Sequence, residues 1–348
     1  MAPPPLQTAI VTGAGGFVGS TLVRSLREAH VRVVGIDSLE RGFADSLDGD
    51  VPLVHGDVTH PDTVARALAQ VGGRADAVFH LAALIQVGES VQQPARYLHA
   101  NVVGTEAVAA ACAQARVPAL VLASSAAVLA SDQGDRATLD ETARIGPESP
   151  YGESKRRAEQ VLAAHSAQTG LASVALRFFN VSGAHCGCAE RHKPETHLIP
   201  LAIRSALGEV PPLRVFGTDW PTPDGTCLRD YVHMRDVVAS LRAAAFWAIA
   251  ASAGSHRVFH VGSGVGTSVR QVIGAVERVL GRPVPYIESP RRPGDIAALV
   301  ADVGRLRAEL GVHPACDLDQ MVRDAWMAWL AQAGAHATVR GNRSSIDP

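Results

Sequence analysis

Thr8-Ala9-Ile10-Val11-Thr12-Gly13-Ala14-Gly15-Gly16-Phe17-Val18-Gly19 decides how the rest of the chain is read. An apolar run ends in glycine, a glycine-rich turn follows, and Leu22, Val23 and Leu26 then recur at helical spacing. Val31-Arg32-Val33-Val34-Gly35-Ile36-Asp37 is a second apolar run, closed by an acid. Strand, turn, helix and strand in this order make a βαβ unit, whose helix N-terminus offers free backbone N–H groups to a pyrophosphate. Gly13, Gly16, Phe17, Val18 and Gly19 are therefore candidate cofactor residues. Asp37 would accept hydrogen bonds from the adenosine ribose and repel a 2′-phosphate, which points to NAD rather than NADP. The glycine spacing is weak by itself, since the chain has 32 glycines; its place between two apolar runs gives it weight.

The alternation continues outward from this unit. Residues 52–58, 77–83 and 120–125 read as the third, fourth and fifth strands, each followed by a stretch of helical character, and 172–180 as a further strand. Such a pattern predicts an α/β fold, a Rossmann-type doubly wound parallel sheet over residues 1–180 with its ligand crevice at the strand C-termini. Asp57 and Val58 would meet adenine at one strand end, and Leu81, Ala82 and Ala83 would line the cofactor crevice at the next. Asn101 opens a helical stretch, where a plain helix cap and a site residue are equal readings. Ser124 and Ser125 end the fifth strand, Ser124 beside the cofactor and Ser125 as a hydrogen-bond partner of a substrate hydroxyl. From residue 183 to 230 proline and glycine become frequent, which marks a smaller, discontinuous C-terminal substrate-binding lobe over 181–333, with a return to the sheet near 235–265. Helices are expected at 198–207, 269–280 and 318–332, the last with a core-facing stripe. The tail 334–348 lacks an apolar period and is expected to be flexible.

Tyr151-Gly152-Glu153-Ser154-Lys155 supplies candidate chemistry. Residues four apart share a helix face, so a phenol stands one turn from an ammonium. A phenol with a pKa of about 10 is a poor base near neutrality unless a cation stabilises its anion. The chain has only two lysines, Lys155 and Lys193, among 32 basic residues. A lysine kept where arginine is otherwise used suggests a task for a compact, tunable ammonium.

Composition removes other classes. A net charge of -2 with no block of like charge argues against nucleic acid or a membrane surface as partner. The Met1-Ala2-Pro3-Pro4-Pro5-Leu6 start lacks the character of a signal peptide, and no apolar run approaches the ~20 residues of a membrane span, so the expected location is cytoplasmic. Five scattered cysteines do not form a disulfide framework. Cys186-Gly187-Cys188 beside His185 and His192 falls short of a structural zinc pattern, and no metal is expected.

Taken together, the motifs carry a resemblance. The chain resembles the UDP-galactose 4-epimerase family of the extended short-chain dehydrogenase/reductase superfamily from about Gln7 to Leu330. The similarity rests on the glycine turn, on Val87-Gly88-Glu89-Ser90-Val91, on Ser149 to Lys155, on Leu176-Arg177-Phe178-Phe179-Asn180 and on Pro194-Glu195-Thr196-His197-Leu198-Ile199-Pro200. The most discriminating stretch is Val215 to His233, with its Pro221-Thr222-Pro223-Asp224-Gly225-Thr226 and Arg229-Asp230-Tyr231. The resemblance implies a redox-neutral epimerisation at C4 of a UDP-sugar with NAD: Tyr151 as base, Ser125 holding the oxygen, Lys155 supporting the phenolate and binding the nicotinamide ribose. It further implies that Asn180, Leu198, Phe216, Arg229, Arg292 and Asp295 hold the nucleotide diphosphate, with His197 nearby, and that Leu299 gates bulk at the sugar. A homodimer through the helices near 95–115 and 151–168 is also implied. Departures from the family's pattern are Ile85, Leu129 and Phe178, the last beside the nicotinamide position. A UDP-glucuronate or UDP-pentose epimerase, a UDP-glucuronate decarboxylase and a catalytically silent dinucleotide-binding regulator are the alternatives; dehydration is disfavoured because Ala126-Ala127 follow Ser125 where an acid pair would be needed.

Overall fold

The computed structural model describes residues 6–133, 136–292 and 294–343, the last eleven of these as backbone only. Residues 1–5, which bear on the reading of the start, and 344–348 of the expected tail lie outside the described residues.

The first strand, β1 (Thr8–Thr12), passes through the glycine turn into α1 (Phe17–Glu28) and back into β2 (Arg32–Asp37), parallel to β1. β3 (Leu53–His55), α2 (Pro61–Gln70), β4 (Ala77–His80), the short helices α3 (Val87–Gln92) and α4 (Pro94–Leu98), α5 (Gly104–Gln114), β5 (Ala119–Ser125), α6 (Pro150–Thr169) and β6 (Ala172–Phe178) continue the alternation. β7 (Asn180–Ser182), α7 (Leu198–Ala206), β8 (Leu213–Phe216) and β9 (Leu228–His233) follow, then α8 (Met234–Ala250) and β10 (His256–Val261). The chain closes with β11 (Gly266–Ser268), α9 (Val269–Leu280), β12 (Tyr286–Ser289), β13 (Ala298–Leu299), α10 (Gly304–Leu310) and α11 (Leu318–Arg343).

Seven parallel strands form the main sheet in the order β10-β6-β5-β4-β1-β2-β3, the Rossmann-type architecture expected from the alternation. Its strands are buried on both faces because helices cover both, as parallel sheets require. Alternate residues divide between the layers: Val11, Phe79, Val121 and Leu176 pack with α1 and α8, while Ile10, Val78, Leu120 and Ala175 pack with α2, α5 and α6. A second sheet is built around β9, flanked by β11 and β13 and paired with β7, and β8 pairs with β12. Ile199, Ile203, Val272, Val276, Met321 and Val322 join α7, α9 and α11 in a third core.

Four boundaries differ from the sequence expectation. The strand expected over 52–58 is only Leu53–His55, so Asp57 and Val58 lie in the loop beyond it. β4 stops at His80 because the Leu81 N–H is shared between the Thr12 carbonyl and hydroxyl, each at 3.2 Å, and the Ala82 N–H turns to that hydroxyl at 3.1 Å, which ends the ladder. The run expected as one strand over 172–180 is two: β6 pairs with β5 and β10, then the chain crosses and β7 pairs with β9. This crossing carries the backbone from one sheet to the other between Phe178 and Asn180, two residues expected at the site. The final helix does not end at residue 332 but continues to Arg343; alanine-rich sequence keeps a helix going without an apolar stripe.

Candidate active site

The glycine turn places α1 close against β1. A Cβ on Gly19 would stand 2.0 Å from the Gly13 carbonyl oxygen, so only glycine allows this approach. Gly16 is the N-cap of α1 without a capping side chain, and the first turn has no acidic residue; the helix N-terminus is therefore suited to an anion. Asp37, buried at the end of β2, accepts from the Gly15 N–H at 2.8 Å and from the Leu39 N–H at 2.7 Å. Burial pushes its carboxyl above the usual range, against these two backbone bonds. Phe17 and Val18 form the start of α1. These features fit a dinucleotide: an anion-ready helix end beside a carboxylate, as the sequence implied.

The remaining crevice residues do not all behave as expected. Asp57 caps its own loop through the Thr59 N–H at 2.8 Å, and Val58 is buried against the start of α5, where a Cβ on Gly104 would meet it at 3.1 Å. Leu81, Ala82 and Ala83 form the partly buried segment after β4. Asn101 is neither a cap nor exposed. It lies in a π turn, His99–Val103, where its side chain accepts from the Leu84 N–H at 2.9 Å and donates to the Leu84 carbonyl at 3.0 Å and to Ser154 Oγ at 2.9 Å. Ser124 faces α6, on the opposite side of the strand from Ser125; its hydroxyl bonds the Glu159 carboxylate at 2.5 Å. Phe178 is half-buried at the end of β6.

Tyr151 sits in the first turn of α6, a helix begun by the Ser149 side chain bonding the Gly152 N–H at 3.0 Å and by Pro150. Gly152 lets this turn approach the segment after β5: a Cβ there would lie 2.3 Å from the Ala127 carbonyl oxygen. The phenol is 9% exposed, shares a hydrogen bond with Ser125 and packs edge-on to Tyr97 with ring centres 6.4 Å apart. Burial pushes the phenol above its ordinary range and the Ser125 bond opposes that. The helix N-terminus favours the phenolate. Lys155, one turn on and fully within the fold, donates to the Ala123 carbonyl at 2.9 Å. Burial lowers its ammonium to about 8, with Glu159 opposing. In this arrangement Ser125, not Lys155, is the group bonded to the phenol.

Two elements of the site were missed in the sequence. Glu159 extends the row Tyr151, Lys155 by one more turn and pairs with Arg177 of β6 at 2.8 and 2.9 Å inside the fold; the repeated i,i+4 spacing was the available signal. His80 lies between Thr12 Oγ1 at 2.8 Å and Thr105 Oγ1 at 3.1 Å. Thr105 spends its proton on the Asn101 carbonyl at 2.7 Å, so His80 donates from Nε2, and its bare Nδ1 accepts from Thr12. Burial, with Lys155 adding to it, holds this imidazole neutral down to about 3. Thr12, His80, Thr105, Asn101 and Ser154 thus form one chain of hydrogen bonds from β1 to the Tyr151 carbonyl, which Ser154 reaches at 2.7 Å. A lone histidine before an apolar run gave no hint of it.

Beside this region a cavity of about 580 Å³ is lined by Asn180, His197, Leu198, Phe216, Arg229, Arg292 and Asp295. All the residues implied for the nucleotide diphosphate meet there; Tyr151, Lys155 and Ser125 do not line it. Arg292 stacks over Phe216 at 4.5 Å and pairs with Asp295 at 2.8 Å, while Arg229 donates to the Ile296 carbonyl at 2.9 Å. Alternation along β9 explains the Arg229-Asp230-Tyr231 motif: Arg229 and Tyr231 line the cavity. Asp230 points away and accepts from the N–H groups of Ser263, Gly264 and Ala301. Leu299 is not part of the cavity lining; it pairs in register with Arg229.

A dinucleotide-ready βαβ unit facing a tyrosine and lysine one turn apart defines a nicotinamide-dependent enzyme acting on a hydroxyl-bearing carbon. The chain belongs to the NAD dependent epimerase/dehydratase family, whose sequence profile matches residues 9–262. It is 39% identical to a UDP-glucose 4-epimerase of Azospirillum brasilense over 97% of this chain and 96% of that protein. Among solved structures it is similar to the UDP-glucose 4-epimerase of Brucella ovis in complex with NAD: 36% identity, TM-score 0.86, 92% of this chain and 97% of that one. It is also similar to a UDP-glucose-4-epimerase of Stenotrophomonas maltophila with bound NAD and formylated UDP-arabinopyranose: 34% identity, TM-score 0.88, 95% of this chain and all of the other. The chain is an NAD-dependent isomerase of nucleotide sugars, and among the described residues no helix is long and apolar enough to cross a membrane.

Proposed function

We propose that this enzyme interconverts UDP-glucose and UDP-galactose, with Tyr151, Ser125 and Lys155 as its catalytic residues. NAD, when bound, supplies the chemistry of taking a hydride from C4 of the sugar and giving it back. Tyr151 removes the proton of the 4-hydroxyl and later returns one to the same oxygen. Ser125 orients that oxygen, being already bonded to the phenol. Lys155 holds positive charge behind the phenolate, and the α6 N-terminus adds to it. The glycine turn Gly13–Gly19, Asp37 and the segment Leu81, Ala82, Ala83 would hold the cofactor. Phe216, Arg229, Arg292, Asp295, Asn180 and Leu198 would hold the nucleotide, so the sugar alone is free to turn over between hydride loss and return.

The observation that carries this reading is the buried phenol of Tyr151 bonded to Ser125 at the end of β5, with the guanidinium-rimmed cavity alongside. Incubation with UDP-galactose, UDP-glucuronate and UDP-pentoses, followed by separation of C4 epimers, tests it. Conversion of UDP-galactose fastest is the expected result; preferential conversion or decarboxylation of UDP-glucuronate would assign another substrate. We further propose a homodimer through the helices near 95–115 and 151–168, supported by the exposed Val103 in this region; molar mass by light scattering measures it. Five free cysteines support a reducing, cytoplasmic setting.

A further inference from the structure

The segment between β7 and α7 gathers Glu190, His192, Glu195 and His197 so that one ligand atom from each lies within 4.8 Å of the others. His197 Nδ1 is 2.8 Å from the carboxylates of both Glu190 and Glu195, and His192 Nδ1 is 2.6 Å from Glu190. The two rings lie 5.1 Å apart. Glu195 is further held by the N–H groups of Thr196 and His197 at 2.7 and 2.8 Å. The carboxylates are the more shielded members, with side chains 12% and 7% exposed against 26% and 41% for the imidazoles. The neighbouring cations face elsewhere: Arg191 stacks on Phe43 at 4.0 Å and pairs with Asp45 at 2.7 Å, and Lys193 lies over the same ring at 5.9 Å.

We propose that these four residues form a binding site for one divalent first-row transition-metal ion of the zinc, nickel or cobalt kind. Two imidazole nitrogens and two carboxylate oxygens are a donor set such ions favour, and two carboxylates balance a charge of +2. Ligand atoms around a tetrahedral ion at ~2.1 Å stand roughly 3.4 Å apart, so the closest pairs need to open by less than an ångström while imidazole protons leave to solvent. The thiols take no part: Cys186 is directed to Glu28 at 3.7 Å, and Cys188 to the Cys186 carbonyl at 3.8 Å. The site is structural in kind, since the catalytic tyrosine is not among its ligands. His197 is also the N-cap of α7 and lines the cavity with Leu198, so a bound ion would fix one wall of that cavity.

Untagged protein treated with EDTA and then dialysed, titrated calorimetrically with zinc or nickel chloride, tests the proposal. One ion per chain is expected, with affinity at least tenfold weaker in His192→Asn and in Glu195→Gln, and unchanged in a Cys186→Ser/Cys188→Ser double variant. Circular dichroism checks that each variant is folded. Cobalt(II) added to the unaltered protein gives a second readout that needs no variant: visible tetrahedral bands without a thiolate charge-transfer band. Absence of saturable binding, full affinity in both the histidine and the glutamate variants, or a thiolate band would overturn the site. The readouts are of binding alone, so their failure is distinct from failure of the epimerase reading.

Discussion

The row along α6 and the rim of the neighbouring cavity handle charge in opposite ways. On α6, Tyr151, Lys155 and Glu159 follow one another at successive turns inside the protein, and each polar group has a fixed partner: Ser125, the Ala123 carbonyl and Arg177. At the cavity, Arg292 is more than half exposed and pairs with Asp295 on a loop. Buried charges are worth much and cannot relax, whereas exposed ones are screened and adjustable. A group that must meet one carbon atom within a fraction of an ångström belongs in the first setting. A group that must grip a flexible diphosphate and release it belongs in the second.

The comparison breaks first at Tyr151. Tyr151→Phe keeps the ring, its edge contact with Tyr97 and its burial, and removes only the phenol oxygen proposed to move the proton. Turnover of UDP-galactose should fall by about 10⁴-fold, about 5 kcal/mol of barrier, while NAD binding and the urea midpoint stay nearly unchanged. A variant with a tenth of normal turnover would show that another group moves the proton.

Glu159→Gln tests whether the far end of the row is structural. It leaves the Arg177 guanidinium inside the fold without its anion, which costs about 3–4 kcal/mol. Urea unfolding measures this, and a loss under 1 kcal/mol would mean that water already reaches Arg177.

Lys155 should reveal itself through pH. Its folded value of about 8 lies below the 10.5 of an ordinary ammonium. Below pH 8 both folded and unfolded chains carry the proton, and the burial cost is present in full. Between these values the folded chain releases a proton that the unfolded chain keeps, so stability rises with pH by on the order of 3 kcal/mol. Lys155→Met should be more stable than the parent at neutral pH and should lack this slope. His80 gives a similar window lower down, where stability declines as pH falls from 6.5 toward 3.

How far the sequence could be read follows the same division. The seven-stranded sheet was legible because apolar runs and a glycine turn are local signals, and Tyr151 with Lys155 because i,i+4 spacing is local too. The bond from Ser124 to Glu159 was not legible, since Glu159 lies on another element 35 residues away. Asn101 was left between two readings, and the structure removes the helix cap, because a π turn has no sequence mark. His80 was invisible: its role is set by Thr12 and Thr105, which are 68 and 25 residues away. Among the cavity residues, Arg292 and Asp295 belong to a guanidinium-rich loop whose fitness for phosphate is legible from residue type, whereas Asn180, Leu198, Phe216 and Arg229 came by resemblance, because they lie on β7, α7, β8 and β9, far apart in the chain. Their pairing, Arg292 against Asp295 and over Phe216, could not be read from residue types.

The smallest expected effect lies at that rim and sharpens the contrast most. Arg292 is one of three guanidiniums lining the cavity, with Arg214 and Arg229, it is exposed, and Asp295 already offsets its charge. Arg292→Ala should therefore weaken UDP binding only about tenfold, about 1.4 kcal/mol, with turnover at saturating substrate unchanged. Arg292→Lys keeps the charge but loses the fork and the flat stack on Phe216, so it should recover less than half of the loss. Raising the salt should shrink the difference between parent and Arg292→Ala, since exposed pairs are screened within ~10 Å at 0.1 M. The same salt change should leave Tyr151→Phe as inactive as before, because nothing in the α6 row is reached by bulk ions. If both variants respond to salt alike, the buried row and the exposed rim are one electrostatic unit and the division drawn between them fails.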